Sequence, residues 1–159
     1  MLWLPATKIT DMDHLSARQR SELMSRVRSR DTKPEPTVRS LVHRMGFRFR
    51  LHPRDLPGRP DLVFRSQRKV IFVHGCFWHQ HSCKRGTQPK ANQEFWLIKL
   101  KRNRGRDHHV IRQLKTLGWT VLVIWECQVS DQTKLHERLR RFLARPLQSA
   151  TTARNHRTA

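Results

Sequence analysis

Val70-Ile71-Phe72-Val73-His74-Gly75-Cys76-Phe77-Trp78-His79-Gln80-His81-Ser82-Cys83 is the stretch on which the reading of the whole chain turns. Its first four residues are apolar without alternation. A short run of that kind suits a central strand buried on both faces, which needs packed layers on either side of a sheet. The run then gives way to a loop carrying two thiols, three imidazoles and two large aromatic rings. Metal donors gathered at the end of a buried strand point to chemistry at that end rather than to packing alone.

Working outward, the period changes several times. Residues 16–28 carry Leu23, Met24 and Val27 at helical spacing among many arginines. Lys33-Pro34-Glu35-Pro36 reads as a turn into a second helix, with Val38, Leu41, Val42 and Met45 on one side and Gly46 as its stop. Phe47, Phe49 and Leu51 alternate with Arg48 and Arg50, the mark of a half-buried strand. Pro57-Gly58-Arg59-Pro60 is a rigid loop before a short strand, Asp61 to Phe64. Beyond the quoted stretch, Asn92 opens a helical region that runs to Leu117, with a bend expected at Gly105. Trp119 to Trp125 forms another apolar strand, and Leu135, Leu139, Phe142 and Leu143 suit an amphipathic helix. This order predicts an α/β fold, a mixed central sheet flanked by helices on both faces. Residues 1–15 read as a flexible arm, 16–144 as one domain, and 145–159 as a disordered basic tail.

Composition narrows the partner. The 159 residues include 33 Lys plus Arg against 12 Asp plus Glu, a formal charge of +21. Such a field draws polyanions, and nucleic acid leads because each neutralised phosphate releases condensed counterions. No stretch approaches the ~20 apolar residues of a membrane span. No signal peptide is visible, so the expected compartment is the cytoplasm.

Two metal constellations stand out. Cys76-x4-His81-x-Cys83 offers three soft donors from one loop, and Cys127 follows the last apolar strand, where sheet pairing could bring it to the same loop. Together they make a four-donor set of the type that holds structural zinc. The alternative is that the cysteines are small core residues and the histidines part of a polar loop. The second constellation is Asp61 with His74 beyond it. Phosphodiester cleavage needs a hard divalent cation on oxygen ligands and a base for water. Taken alone, one Pro-Asp pair is more simply a carboxylate capping a turn.

At these residues the chain closely resembles the very short patch repair (Vsr) DNA mismatch endonucleases. The likeness runs through Pro57 to Asp61 and Val70 to Cys83, then Glu94-Phe95-Trp96-Leu97, Asn103, and Gly118-Trp119 through Trp125-Glu126-Cys127. It covers roughly Met24 to Leu143. The resemblance implies a fold related to type II restriction enzymes (the PD-(D/E)xK class) with a structural zinc. It implies a magnesium-dependent nick 5′ of the thymine in a T:G mismatch in double-stranded DNA, made by a monomer, with repair-protein partners left open. By position, Asp61 would bind Mg2+ through its carboxylate and Val73 through its carbonyl. His79 would be general base, His74 would lie beside the reacting phosphate, and Glu35 near the water that the metal holds. Cys76, His81, Cys83 and Cys127 would hold Zn2+. Phe77, Trp78 and Trp96 would wedge into the base stack from the major groove, with Met24 and Val27 approaching from the minor groove.

The chain departs from the wider restriction-enzyme pattern, which places an acid and a lysine where Val73-His74-Gly75 stands. Val73 replaces an expected Thr, a change that a carbonyl ligand tolerates. Gln80 replaces a histidine outside the four zinc positions. The aromatic residues also have a plainer reading, as a small core over the zinc for Phe77 and Trp78 and as helix core for Trp96. Lys99, Arg102 and their neighbours form a charge run expected, with Asn103, to lie against DNA.

Overall fold

Strand β2 (Lys69–His74) is the middle strand of a three-stranded sheet in the chain, here a computed structural model that describes residues 16–26, 31–90 and 92–144. Strand β1 (Leu62–Phe64) pairs with it antiparallel, Val63 opposite Val70. Strand β3 (Thr120–Trp125) pairs parallel on the other edge, in a register that sets His74 opposite Trp125. The sheet is therefore mixed, and all six residues of β2 are buried. Two strands run parallel only if a long crossover joins them. Helix α3 (Gln93–Thr116) supplies most of it.

Alternation along β2 divides the core into two layers. Ile71 and Val73 face helix α2 (Pro34–Arg44), through Val38, Leu41 and Val42, and helix α4 (Gln132–Ala144), through Leu135, Leu139 and Leu143. Val70 and Phe72 face Leu114 of α3 and Trp119. Helices thus cover both faces, as the continuous apolar run demands. A third cluster, Phe77, Trp96 and Leu100, joins the loop after β2 to the start of α3, with Met24 of helix α1 (Ala17–Ser25) and Trp78 packed on it.

Three details differ from the sequence expectations. Lys33 to Pro36 is no separate turn, because Pro34 already stands in the first turn of α2, where its missing N–H costs nothing. The strand expected over Phe47 to Leu51 is reduced to one bridge, in which Arg50 and Val63 exchange both backbone hydrogen bonds. Phe47 and Phe49 do turn inward, each edge-on to Phe64. Their backbone finds only one partner because β1 is three residues long and His52 then turns the chain with a φ of +44°. Gly105 causes no break, since α3 runs through it. The arm 1–15, the tail 145–159 and Val27 lie outside the described residues.

Two glycines give opposite tests of packing. A Cβ on Gly58 would sit 2.4 Å from Val110 Cγ1, and its φ of +69° already disfavours a side chain. Gly58→Ala is expected to lose ~1–3 kcal/mol in urea unfolding. A Cβ on Gly105 meets nothing within 4 Å. Gly105→Ala should instead gain about 0.5–1 kcal/mol, the helix-interior preference for Ala.

Candidate active site

The end of β2 at His74 gathers several acids and histidines. Asp61 stands immediately before β1 and turns its Oδ2 onto the Val73 N–H, which donates at 2.7 Å. That bond ties the loop 57–60 to β2. Burial first, and then the neighbouring Glu35 carboxylate, push the Asp61 carboxyl up to about 7, with the Val73 N–H working against them. Its Oδ1 faces His52 Nδ1 at 3.5 Å.

Glu35 is 2% exposed in the first turn of α2. It accepts from the backbone N–H groups of Asp31 and Thr32, from the Thr32 hydroxyl at 2.7 Å, and from Arg39 Nη2 at 2.7 Å. Arg39 Nη1 donates to Asp31 Oδ1 at 2.6 Å. The carboxylates of Asp31, Glu35 and Asp61 thus converge around one guanidinium and one imidazole, and Arg39, His52 and Asp31 were not singled out from the sequence. Nothing in their spacing marks them, because α2, a turn and an irregular segment each contribute a part.

On the other side of β2's end, His74 stacks on His79, ring centroids 3.9 Å apart and planes 9° from parallel. Burial, followed by the neighbouring His79, lowers His74 to about 3, so it is neutral. His79 Nδ1 lies 2.5 Å from Asp107 Oδ2. Burial opposes the Asp107 charge, yet the His79 hydrogen bond and nearby cations hold its carboxyl below the usual range. Asp107 is also absent from the sequence reading. Its signal was available: it is the one acid in α3 after Glu94, among many cations.

The loop after His74 is a compact turn, closed by His79 N–H to the Gly75 carbonyl and His81 N–H to the Cys76 carbonyl. It brings one donor atom each from Cys76, His81, Cys83 and Cys127 to within 4.8 Å of one another. The three thiols are free. Three sulfurs and one imidazole nitrogen converging from a loop and a strand end match the donor chemistry of a structural zinc site. The segment Lys84–Gly86 closes over this cluster so tightly that a Cβ on Gly86 would meet the His81 carbonyl oxygen at 1.9 Å. Trp125 joins the two halves of the site, stacked on His81 at 4.4 Å and edge-on to His74 at 5.5 Å.

The aromatic residues lie beside this loop. Phe77 is 3% exposed and Trp96 fully buried, while Trp78 is half-buried with Lys99 Nζ 5.7 Å from its ring centre. Asn103 donates to the Trp78 carbonyl at 3.1 Å, so it braces the loop against α3. Phe95, Leu97 and Ile98 at the start of α3 are exposed, and so is Arg102.

The chain is similar to known DNA endonucleases. The family described as DNA mismatch endonuclease Vsr matches residues 12–85. The Type II nicking enzyme V.XorIIP of Xanthomonas oryzae pv. oryzae is 51% identical over 131 residues, 82% of this chain and 96% of the relative. The chain belongs to the Vsr DNA endonuclease family. DNA mismatch endonuclease Vsr of Escherichia coli is 45% identical over 116 residues, 73% of this chain and 74% of the relative. Type II nicking enzyme V.NmeAIP of Neisseria meningitidis is 39% identical over 131 residues, 82% of this chain and 94% of the relative. In this Vsr-family chain, no helix of the described residues is long and apolar enough to cross a membrane.

Asp61 makes stability depend on pH. Its carboxyl titrates near 3.8 when unfolded and near 7 in the fold, so the fold favours the protonated form. That stabilisation is complete below about 4 and is lost as pH rises through 7. Asp61→Asn should therefore melt higher than wild type at pH 8 without divalent ions, by the equivalent of a few kcal/mol at ~1.4 kcal/mol per pKa unit. The gap should close by pH 4, and a gap independent of pH would rule the assignment out.

Proposed function

We propose that this chain is a DNA mismatch endonuclease that nicks one strand 5′ of the thymine in a T:G pair, using Mg2+. The observation that carries this reading is the set of groups at one strand end. A buried carboxylate, Asp61, sits on one side of β2 and a carboxylate-supported imidazole, His79, on the other. Purely binding proteins have no use for either. The charge of +21 supports a polyanionic substrate. The mixed sheet with helices on both faces supports a fold of the restriction-enzyme class.

Each residue has a definable part. Asp61 Oδ1 takes no close hydrogen bond, which suits one hard oxygen ligand for a largely hydrated Mg2+, with the Val73 carbonyl as its partner ligand. When bound, Mg2+ would neutralise charge on the phosphate and favour ionisation of water. Glu35, already committed to four hydrogen bonds, would act from beside that water rather than as a ligand. Asp107 is ionised and can only accept, so His79 Nδ1 carries the proton and Nε2 is free to take one from the attacking water. His74, neutral and stacked, fixes the plane of the His79 ring and adds no positive charge that would oppose protonation. Cys76, His81, Cys83 and Cys127 would hold Zn2+. The turn that the zinc closes is the same one that carries His79.

Mismatch selectivity rests on the aromatic cluster. Phe77, Trp78 and Trp96 would enter the major groove and Met24 and Val27 the minor groove. Phe77 and Trp96 are buried without DNA, so insertion requires that cluster to open. A mismatched step resists unstacking least, which offsets part of that cost. Lys99, Arg102 and Asn103 would then lie along the backbone.

A gel assay with a labelled T:G duplex and Mg2+ tests the catalytic reading. Asp61→Ala should lose nicking by more than ~10³-fold while the duplex affinity changes little, and Asp107→Asn should lose ~10–10³-fold through kcat. A matched duplex cut as fast as the mismatched one would refute the selectivity. Elemental analysis of the purified chain should find one zinc. Cys127→Ser should release it more readily to a chelator and lower the melting temperature with it.

A further inference from the structure

The group of residues around Asp61 contains three members with no part in the reading above, Asp31, Arg39 and His52. His52 reaches the site through an unusual backbone. Its φ of +44° lies in the left-handed region, which non-glycine residues adopt at a cost. The turn swings its imidazole between two carboxylates, with Nε2 3.7 Å from Glu35 Oε2 and Nδ1 3.5 Å from Asp61 Oδ1. The side chain is 14% exposed.

The hydrogen-bond chemistry decides how that ring is protonated. Arg39 Nη2 lies 2.9 Å from His52 Nε2. A guanidinium has five donors and no acceptor, so Nε2 must be the acceptor in this contact. Protonation of Nε2 would point its hydrogen at a cation. The proton therefore resides on Nδ1, the nitrogen that faces Asp61. The two hydrogens of Arg39 Nη2 serve Glu35 and His52 together, which explains how two acceptors approach to 3.7 Å without a proton between them.

We propose that Arg39 and His52 form a positioning pair that aims the Asp61 carboxylate, with Arg39 selecting the His52 tautomer and His52 presenting its Nδ1–H to Asp61 Oδ1. Asp61 then has a neighbour at each oxygen, the Val73 N–H donating to Oδ2 at 2.7 Å and His52 Nδ1 facing Oδ1 at the longer distance of 3.5 Å. Outer partners of this kind fix the orientation of a metal-binding group and set its affinity. The Arg39 cation also offsets the repulsion among Asp31, Glu35 and Asp61. This proposal rests on the endonuclease reading for its consequence in catalysis, but the tautomer stands apart from it.

The test has two arms. Nitrogen-15 NMR of histidine-labelled protein, with His52→Gln to assign the signals, should show His52 Nε2 unprotonated and Nδ1 as N–H. Arg39→Met should redistribute the proton towards Nε2. In the second arm, Mn2+ binding is followed by electron paramagnetic resonance and nicking by the T:G duplex assay. His52→Leu should weaken Asp61-dependent Mn2+ binding and lower kcat by about tenfold or more, with KM for the duplex unmoved. His52→Gln, which restores an N–H donor, should recover most of both. Unaltered Mn2+ affinity and kcat in His52→Leu would overturn the proposal, as would a wild-type spectrum with the proton on Nε2. Should His52→Leu fail to fold, the wild-type and Arg39→Met spectra still decide the tautomer. A wild type that neither binds Mn2+ through Asp61 nor nicks would sink the endonuclease reading and the catalytic role together. Normal wild-type behaviour beside an unchanged His52→Leu would sink the positioning role alone.

Discussion

The hydrogen bond from the Val73 N–H to Asp61 Oδ2 joins the scaffold to the chemistry. Val73 has a fixed place, because it is in register with Ile124 of β3 and lies on a strand buried along its whole length. The carboxylate is therefore anchored to the most rigid part of the domain, although it lies on an irregular segment. Gly58 extends the same constraint, since its close approach to Val110 presses the preceding loop onto α3. A metal-binding group placed to within a fraction of an ångström needs support of this order.

Burying that carboxylate has a cost, and the site answers it locally. Glu35 and Asp61 are both withdrawn from water, and each raises the other's energy when ionised. Arg39 and the N–H groups of Asp31, Thr32 and Val73 supply the compensating positive ends. Across β2 the same problem is solved by pairing, with His79 against Asp107 and a neutral His74 between them and the core. The two halves differ in kind. One collects negative charge, as a cation site requires, and the other aims a ring nitrogen, as a base requires.

The donor-rich turn links these halves to the aromatic cluster. Cys76 to Cys83 is too short and too polar to have a core of its own. It is held by Trp125 on one side, by Lys84–Gly86 on another, and by Asn103 through the Trp78 carbonyl. Whatever orders Cys76, His81 and Cys83 also orders His79, Phe77 and Trp78, because all lie within one turn. His79 and the aromatic cluster thus share a single mechanical support.

Local pattern was enough to determine the buried central strand, the helices on either side and the three soft donors of the loop that follows it, Cys76, His81 and Cys83. Each of these follows from residues close in sequence or from a period of two or 3.6. Asp61 and His74 flank strands whose apolar runs are unmistakable, which marks their places, but the parts expected of them and of His79 came from the family resemblance and not from pattern. The expected strand over Phe47 to Leu51 shows the limit. Phe47 and Phe49 do turn inward, but Leu51, expected on the same face, is exposed, and whether the segment pairs depended on the length of β1, a partner that alternation cannot measure. Asp31, Arg39, His52 and Asp107 were decided by tertiary structure alone. Their roles arise from distances between α2, an irregular turn, β2 and α3, and a charged side chain has no period that announces which distant charge it will meet.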